Sequence, residues 1–249
     1  MTTQLHATPI VKPARSTLNP LRWSQRTGAL VSAVALTLMV FLSIFGYFVA
    51  VKGLTVAGDA AATAEAIAAS PQLWIAGVAA LFVVVVLDFF AAAGTGALFK
   101  PVSPVLSWVA GLTRVAFAAW FAVALAQLVI AFHTLDDPAA ALHSIESFKS
   151  IWDTALGLFG VYLLMVAYLA IRSTFMPNIF GILIGIAGLG YIADLAGVIF
   201  VYGFSPIFGL FGFIGETAMI FWLFIKGSRL PRDAGRARVT RSYAWARQS

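Results

Sequence analysis

Four ionisable residues lie deep inside long apolar runs: Asp88, Arg114, Asp194 and Glu216. A carboxylate in such a place can take a proton or hold a cation, and an arginine can pair with either carboxylate or substrate anion. A charge at bilayer depth costs about 2.5–3.5 kcal/mol on insertion scales. Each of the four is therefore expected to face a protein interior and to find a partner there. One arginine among three acids leaves two uncompensated negative charges if all ionise, so at least one acid is expected to keep its proton.

Other chemistries lack their residue sets. The chain has no cysteine, which removes disulfides, thiolate metal sites and cysteine nucleophiles. His6, His133 and His143 do not form a metal set. His133 and His143 flank Asp136, Asp137 and Glu146, where solvated loop residues are the plain reading and a surface zinc site the sharper one. No HExxH, GxSxG or P-loop pattern occurs, and no Ser or Thr is paired with a buried His, so triad chemistry lacks its base. The sequence thus predicts no catalytic residue, no metal and no cofactor, and leans away from an enzyme.

The elements that must carry the four charges follow from hydropathy. Of 249 residues, 61% are hydrophobic and 10% charged, against about 25% charged in an ordinary soluble domain. So little charge cannot cover a water-facing surface, and most of this surface is expected to face lipid. Six apolar runs are long enough to span a hydrocarbon core of about 30 Å: 28–51, 73–98, 104–132, 151–171, 179–201 and 207–225. The predicted fold is an all-α bundle of six transmembrane helices over 28–227. A polar N-terminal arm (1–27) precedes it and a basic tail (228–249) follows. The segment 52–72 reads as a loop holding a short helix, capped at Asp59 and stopped before Pro71. Residues 133–150 read as a second polar loop.

Lysine and arginine set the expected orientation. Thirteen of the sixteen fall in the two termini or in the short turns at Lys100 and Arg172; only Lys52 and Lys149 fall on the opposite side. Both termini are thus expected in the cytoplasm. Trp23, Trp108 and Trp222 near one face, with Trp74 and Trp152 near the other, suit an aromatic belt; Trp120, mid-span, does not. The net charge of +6 comes largely from the two ends. A tail touching anionic lipid headgroups is favoured over nucleic-acid binding.

Depth sorts the buried charges. Arg114 lies ten residues after Pro104 and Glu216 ten before Lys226, each about 15 Å from the same face at 1.5 Å per residue. Asp88, twelve residues before Lys100, lies about 18 Å in. These three are expected to form one mid-membrane cluster. Asp194 sits apart in the outer half, with Gln127 and Tyr191 within reach. The cluster reads either as a structural lock built on an Asp88–Arg114 pair or as a functional site, a proton or cation relay or a polar ligand pocket. Gly181-xxx-Gly185 and Ala193-xxx-Gly197 have the spacing that lets helix backbones touch, within one subunit or across a homo-oligomer. Pro104 and Pro206 each precede a charge by ten residues, a weak hint of two inverted three-span halves.

The strings VAGDAAATAEAIAAS, LFKPVSPVLSWVAGLTR, GLGYIADLAG and GETAMIFWLFIKG, in this order and spacing, resemble the bacterial membrane-protein family known as domain of unknown function 4386. The resemblance covers roughly residues 28–227. Family features correspond here to Asp59–Ala64, Asp194 and Gly215-Glu216; Ala57 stands where a proline or another small residue is expected. The resemblance implies a multi-span bacterial integral membrane protein and no particular activity. Two functions follow as expectations: a non-enzymatic structural, sensory or partner-binding bundle, and a small-molecule or proton- or cation-coupled transporter.

Overall fold

The computed structural model describes Pro20 and residues 23–204, 206–207 and 209–230; the side chains of 209–214 and of Glu216 are outside the description. Among the described residues every regular element is helical. We number them α1 (Gln25–Leu54), α2 (Ala60–Ala69), α3 (Pro71–Phe99), α4 (Pro104–His133), α5 (Pro138–Arg172), α6 (Asn178–Phe200) and α7 (Gly209–Ile225). A single 3₁₀ turn, Gly227–Arg229, follows α7. Within α1, residues Ile44–Val51 are wound as π-helix.

Local chemistry explains the starts. Pro71, Pro104 and Pro138 each open a helix, where a missing N–H costs nothing and the fixed φ is already helical. Side-chain oxygens of Ser24, Asp59, Ser103 and Asp137 accept from the first free backbone amides, at 2.9 Å for Asp59 Oδ1 and Ala62 N. The short helix expected after Gly58-Asp59 is α2. Buried Thr63 ties it back, accepting from Val56 N at 2.9 Å and donating to Asp59 O at 2.7 Å.

Each long helix packs on its neighbour in the chain, α1 on α3, then α4, α5, α6 and α7 in turn, and α7 returns to α1. The result is a closed ring. Every member turns large apolar side chains outward, among them Phe41, Val86, Trp120, Tyr168, Leu189 and Phe221. Such a surface suits hydrocarbon and not water, so this is a multi-pass membrane protein. Among the described residues five helices, α1 and α3 to α6, are long and apolar enough to cross a membrane. The remaining helix of the ring, α7, has 17 residues, about 26 Å of helix.

Glycines bring the members close. A Cβ on Gly94 of α3 would meet Ser32 of α1 and lie 2.8 Å from Gly28 O; one on Gly188 of α6 would lie 2.9 Å from Gly160 O of α5. The expected spacing motif in α6 is only half used. A Cβ on Gly181 would lie 2.6 Å from Ile171 Cγ1 and 3.0 Å from Ala167 O, whereas one on Gly185 would meet only Ala167 Cβ, at 3.5 Å. The close seam continues at Gly188, two turns from Gly181.

Two expectations need correction. The polar stretch 133–150 is not a loop: α5 begins at Pro138 and runs 35 residues, about 52 Å, well beyond one hydrocarbon core. Its first turns bury Ala141, Ser144, Ile145 and Phe148, a helical stripe, in a segment that packs on α2, with His143, Glu146 and Lys149 exposed. The aromatic belt is also reduced. Trp74 and Trp222 are buried, Trp74 donating to Leu128 O at 3.3 Å and Trp222 packed at a tilt beside Phe175 and Phe180. Trp108 keeps the exposed position that a belt requires.

Candidate functional site

Asp88 projects from α3 and Arg114 from α4, antiparallel neighbours joined by the turn at 100–103, so similar distances from that turn put them at one level. Both are buried, at 0% and 1% exposure. Arg114 Nε donates to Asp88 Oδ1 at 2.9 Å, and its Nη2 lies 2.8 Å from the same oxygen. The pair expected from depth therefore forms.

The guanidinium holds more than its acid. Nη1 donates to Tyr162 Oη at 3.1 Å, and Nη2 lies 3.8 Å from Met39 Sδ, a weak acceptor. Its Cζ stands 5.0 Å from the Tyr162 ring centroid and 5.4 Å from that of Phe159, within range of cation–π attraction. One side chain of α4 thus reaches α1, α3 and α5. Beyond it the hydrogen bonds run on in one direction. Tyr162 donates to Thr95 Oγ1 at 3.4 Å, and Thr95 donates to Ala91 O at 2.8 Å. Asp88, Ala91 and Thr95 repeat at helical spacing on one face of α3, which is why they share one interior.

Both described contacts with Asp88 converge on Oδ1. Oδ2 is buried and has no hydrogen-bond partner among the described residues. A carboxyl oxygen in this setting can carry a proton or face a cation.

Asp194 lies elsewhere, as depth arithmetic expects. It is buried near the end of α6 and its Oδ1 accepts from Ile207 N at 2.9 Å, across the turn that leads into α7. Gly203, with φ of 74°, lets that turn form. Gly197 leaves room for the Phe204 ring, which a Cβ would approach to 2.5 Å. This acid ties two helices together through backbone. Glu216 falls on α7, but its side chain lies outside the described residues. Gly215 before it is buried against Leu183 O of α6, where a Cβ would come to 3.1 Å.

Sequence reasoning found both members of the ion pair and missed Tyr162, Thr95, Met39 and Phe159. A tyrosine in mid-span, away from the interfacial belt, was the available signal for Tyr162. His133, His143 and their acidic neighbours do not converge: no group of three or more His, Asp or Glu side chains able to hold a metal occurs among the described residues.

The family model described as "Domain of unknown function (DUF4386)" matches residues 31–227. A protein of Archaeoglobus fulgidus, named "Uncharacterized protein", is 33% identical over 150 residues, which are 60% of this chain and 83% of the relative. No solved structure matches the chain.

Proposed function

The chain belongs to the family of domain of unknown function 4386, and from that premise we propose a non-enzymatic integral membrane bundle locked by its buried charges. Arg114 carries this reading: one guanidinium engages Asp88 on α3, Tyr162 on α5 and Met39 on α1. Such a hub fixes helix register and neutralises itself inside lipid. In this reading Glu216 belongs to the same polar set, and Asp194 is a separate clasp of α6 and α7. The decisive comparison is between Arg114→Ala, Asp88→Leu and the pair Asp88→Leu/Arg114→Met. A lock requires the singles to lose folded protein and the apolar pair to regain it. Loss in the pair equal to that in the singles would sink the lock.

The proposed organisation is six spans over 28–227, with α7 as the sixth, between a cytoplasmic arm and a basic cytoplasmic tail. Its support is the level of the ends. A Cβ on Gly227, just beyond α7, would lie 2.7 Å from Ala29 Cβ near the start of α1, and Gln25 Nε2 donates to Leu98 O at the end of α3. The bias of lysine and arginine favours the cytoplasm for that face, and a bacterial inner membrane follows from the resemblance. The tail beyond Leu230 lies outside the described residues; its arginines suit anionic headgroups. Homo-oligomers remain a second use for the small-residue faces not closed within the ring.

A second reading, coupled transport, has one specific observation behind it: the buried Oδ2 of Asp88 without a partner among the described residues. Proton flux into proteoliposomes should then depend on Asp88 and vanish in Asp88→Asn. Equal flux in the two would remove this reading.

A further inference from the structure

A groove runs along the lipid-facing side of the bundle where α3 meets α4. It encloses about 290 Å³. Its floor is made of small residues, Ala93 and Gly96 on α3 and Gly111 on α4, and Trp108 stands along its rim. Lys100 lies at one end, beside the 100–103 turn; Phe89 and Val115 close the other. The twelve residues from Phe89 to Lys100 rise about 16 Å along the helix axis. That is close to half of a hydrocarbon core of about 30 Å, the depth of a single leaflet.

The polarity of the groove is graded in the same direction. Lys100, exposed at the membrane face, supplies a cation. Ser107, one turn in from Pro104, also lines the groove; it is 3% exposed and its Oγ has no hydrogen-bond partner among the described residues. Everything deeper is apolar. A cation at the surface, a hydroxyl donor just beneath it and an aliphatic trough below match an anionic headgroup, an ester carbonyl and an acyl chain in that order. A second protein helix would meet the trough but would leave the graded polar end unused.

We propose that the α3–α4 groove is a site for one phosphate-headed lipid of the leaflet on the Lys100 side, with its phosphate at Lys100, an ester carbonyl at Ser107 and one acyl chain along Gly96 and Gly111. The site rests on the membrane reading but not on the charge lock, from which it can be separated experimentally. Gly96→Leu is the sharpest probe. The first added carbon meets nothing closer than Ser107 O at 3.7 Å, so the backbone need not move, while the remainder fills the trough.

The test is native mass spectrometry of the full chain released from mild detergent, with thermal melting on addition of phosphatidylglycerol or phosphatidylcholine. The wild type should keep one phospholipid per chain and melt higher with phosphatidylglycerol. Gly96→Leu should lose the adduct at least tenfold and lose the shift. Lys100→Ala should keep an adduct but lose the preference between the two lipids. Wild-type occupancy in folded Gly96→Leu, or a wild type with neither adduct nor shift, overturns the site. A lipid-free dimer also overturns it, handing the groove to a second copy. If Gly96→Leu does not accumulate, Lys100→Ala/Ser107→Ala adds no bulk and decides instead: an adduct kept with unchanged preference overturns the proposal.

Discussion

Arg114 is costly to bury and costlier to strand. Removing one member of a buried pair leaves the other charge without compensation, a loss of about 3–5 kcal/mol, whereas replacing both by apolar side chains of similar size is often neutral. Arg114→Ala should therefore fall in that range in detergent unfolding, and Asp88→Leu/Arg114→Met should recover most of it. Tyr162→Phe removes only the oxygen that accepts from Nη1 and donates to Thr95, while the ring stays beneath the guanidinium. Interhelical hydrogen bonds in membranes are worth about 0.6–1.7 kcal/mol, so the loss should be clearly smaller, measured the same way. Asp88 and Arg114 could be seen in the sequence because a charge in an apolar run is conspicuous, and because a short turn fixes both depths. Thr95 could not, and Tyr162 showed only as a tyrosine in mid-span. Neutral polar residues carry no comparable penalty, and whether they face inward depends on the helix azimuth, which depth arithmetic does not supply.

Helix contacts here rest on where the backbones touch rather than on motif spacing. On α6, a Cβ on Gly185 would meet only Ala167 Cβ, at 3.5 Å, while one on Gly188 would lie 2.9 Å from Gly160 O and 3.1 Å from Leu164 N. Gly185→Ala should thus be neutral or slightly stabilising, since alanine is the better helix former. Gly188→Ala should destabilise by about 1–3 kcal/mol, the usual cost of overpacking. Equal melting temperatures for the two would contradict the packed seam. The α5 extension shows why one element was misread. Hydropathy looks for spans, and 133–150 is too polar to be one. Yet Asp137-Pro138 followed by three alanines is a helix start, and the stripe Ala141, Ser144, Ile145, Phe148 marks a helix with one buried face. The first loop was legible for the converse reason: Asp59 and the alanines after it offered a cap and a good helix former together.

Six apolar runs were visible at the scale of the whole chain, but their closure into a ring was not, because which helix touches which is a matter of pairing and not of hydropathy. The hint of two inverted halves finds no match in the last helix: α7 starts at Gly209, not at Pro206, unlike α4 at Pro104. Orientation is directly testable. Reporters fused after Leu230 and inserted at Val102 should respond from one face and a reporter at Leu135 from the other; a fusion after Leu230 that reports with Leu135 would mean that α7 does not cross. The meeting of Gly227 with Ala29 carries this further. A ring whose last described helix ends beside its first has no open edge, so its helix contacts do not themselves depend on where the chain is cut. A circular permutant with Leu230 tied by a short linker to Trp23 and cut open within the 100–103 turn should keep every helix contact and every crossing direction, and should still insert and melt as one cooperative unit.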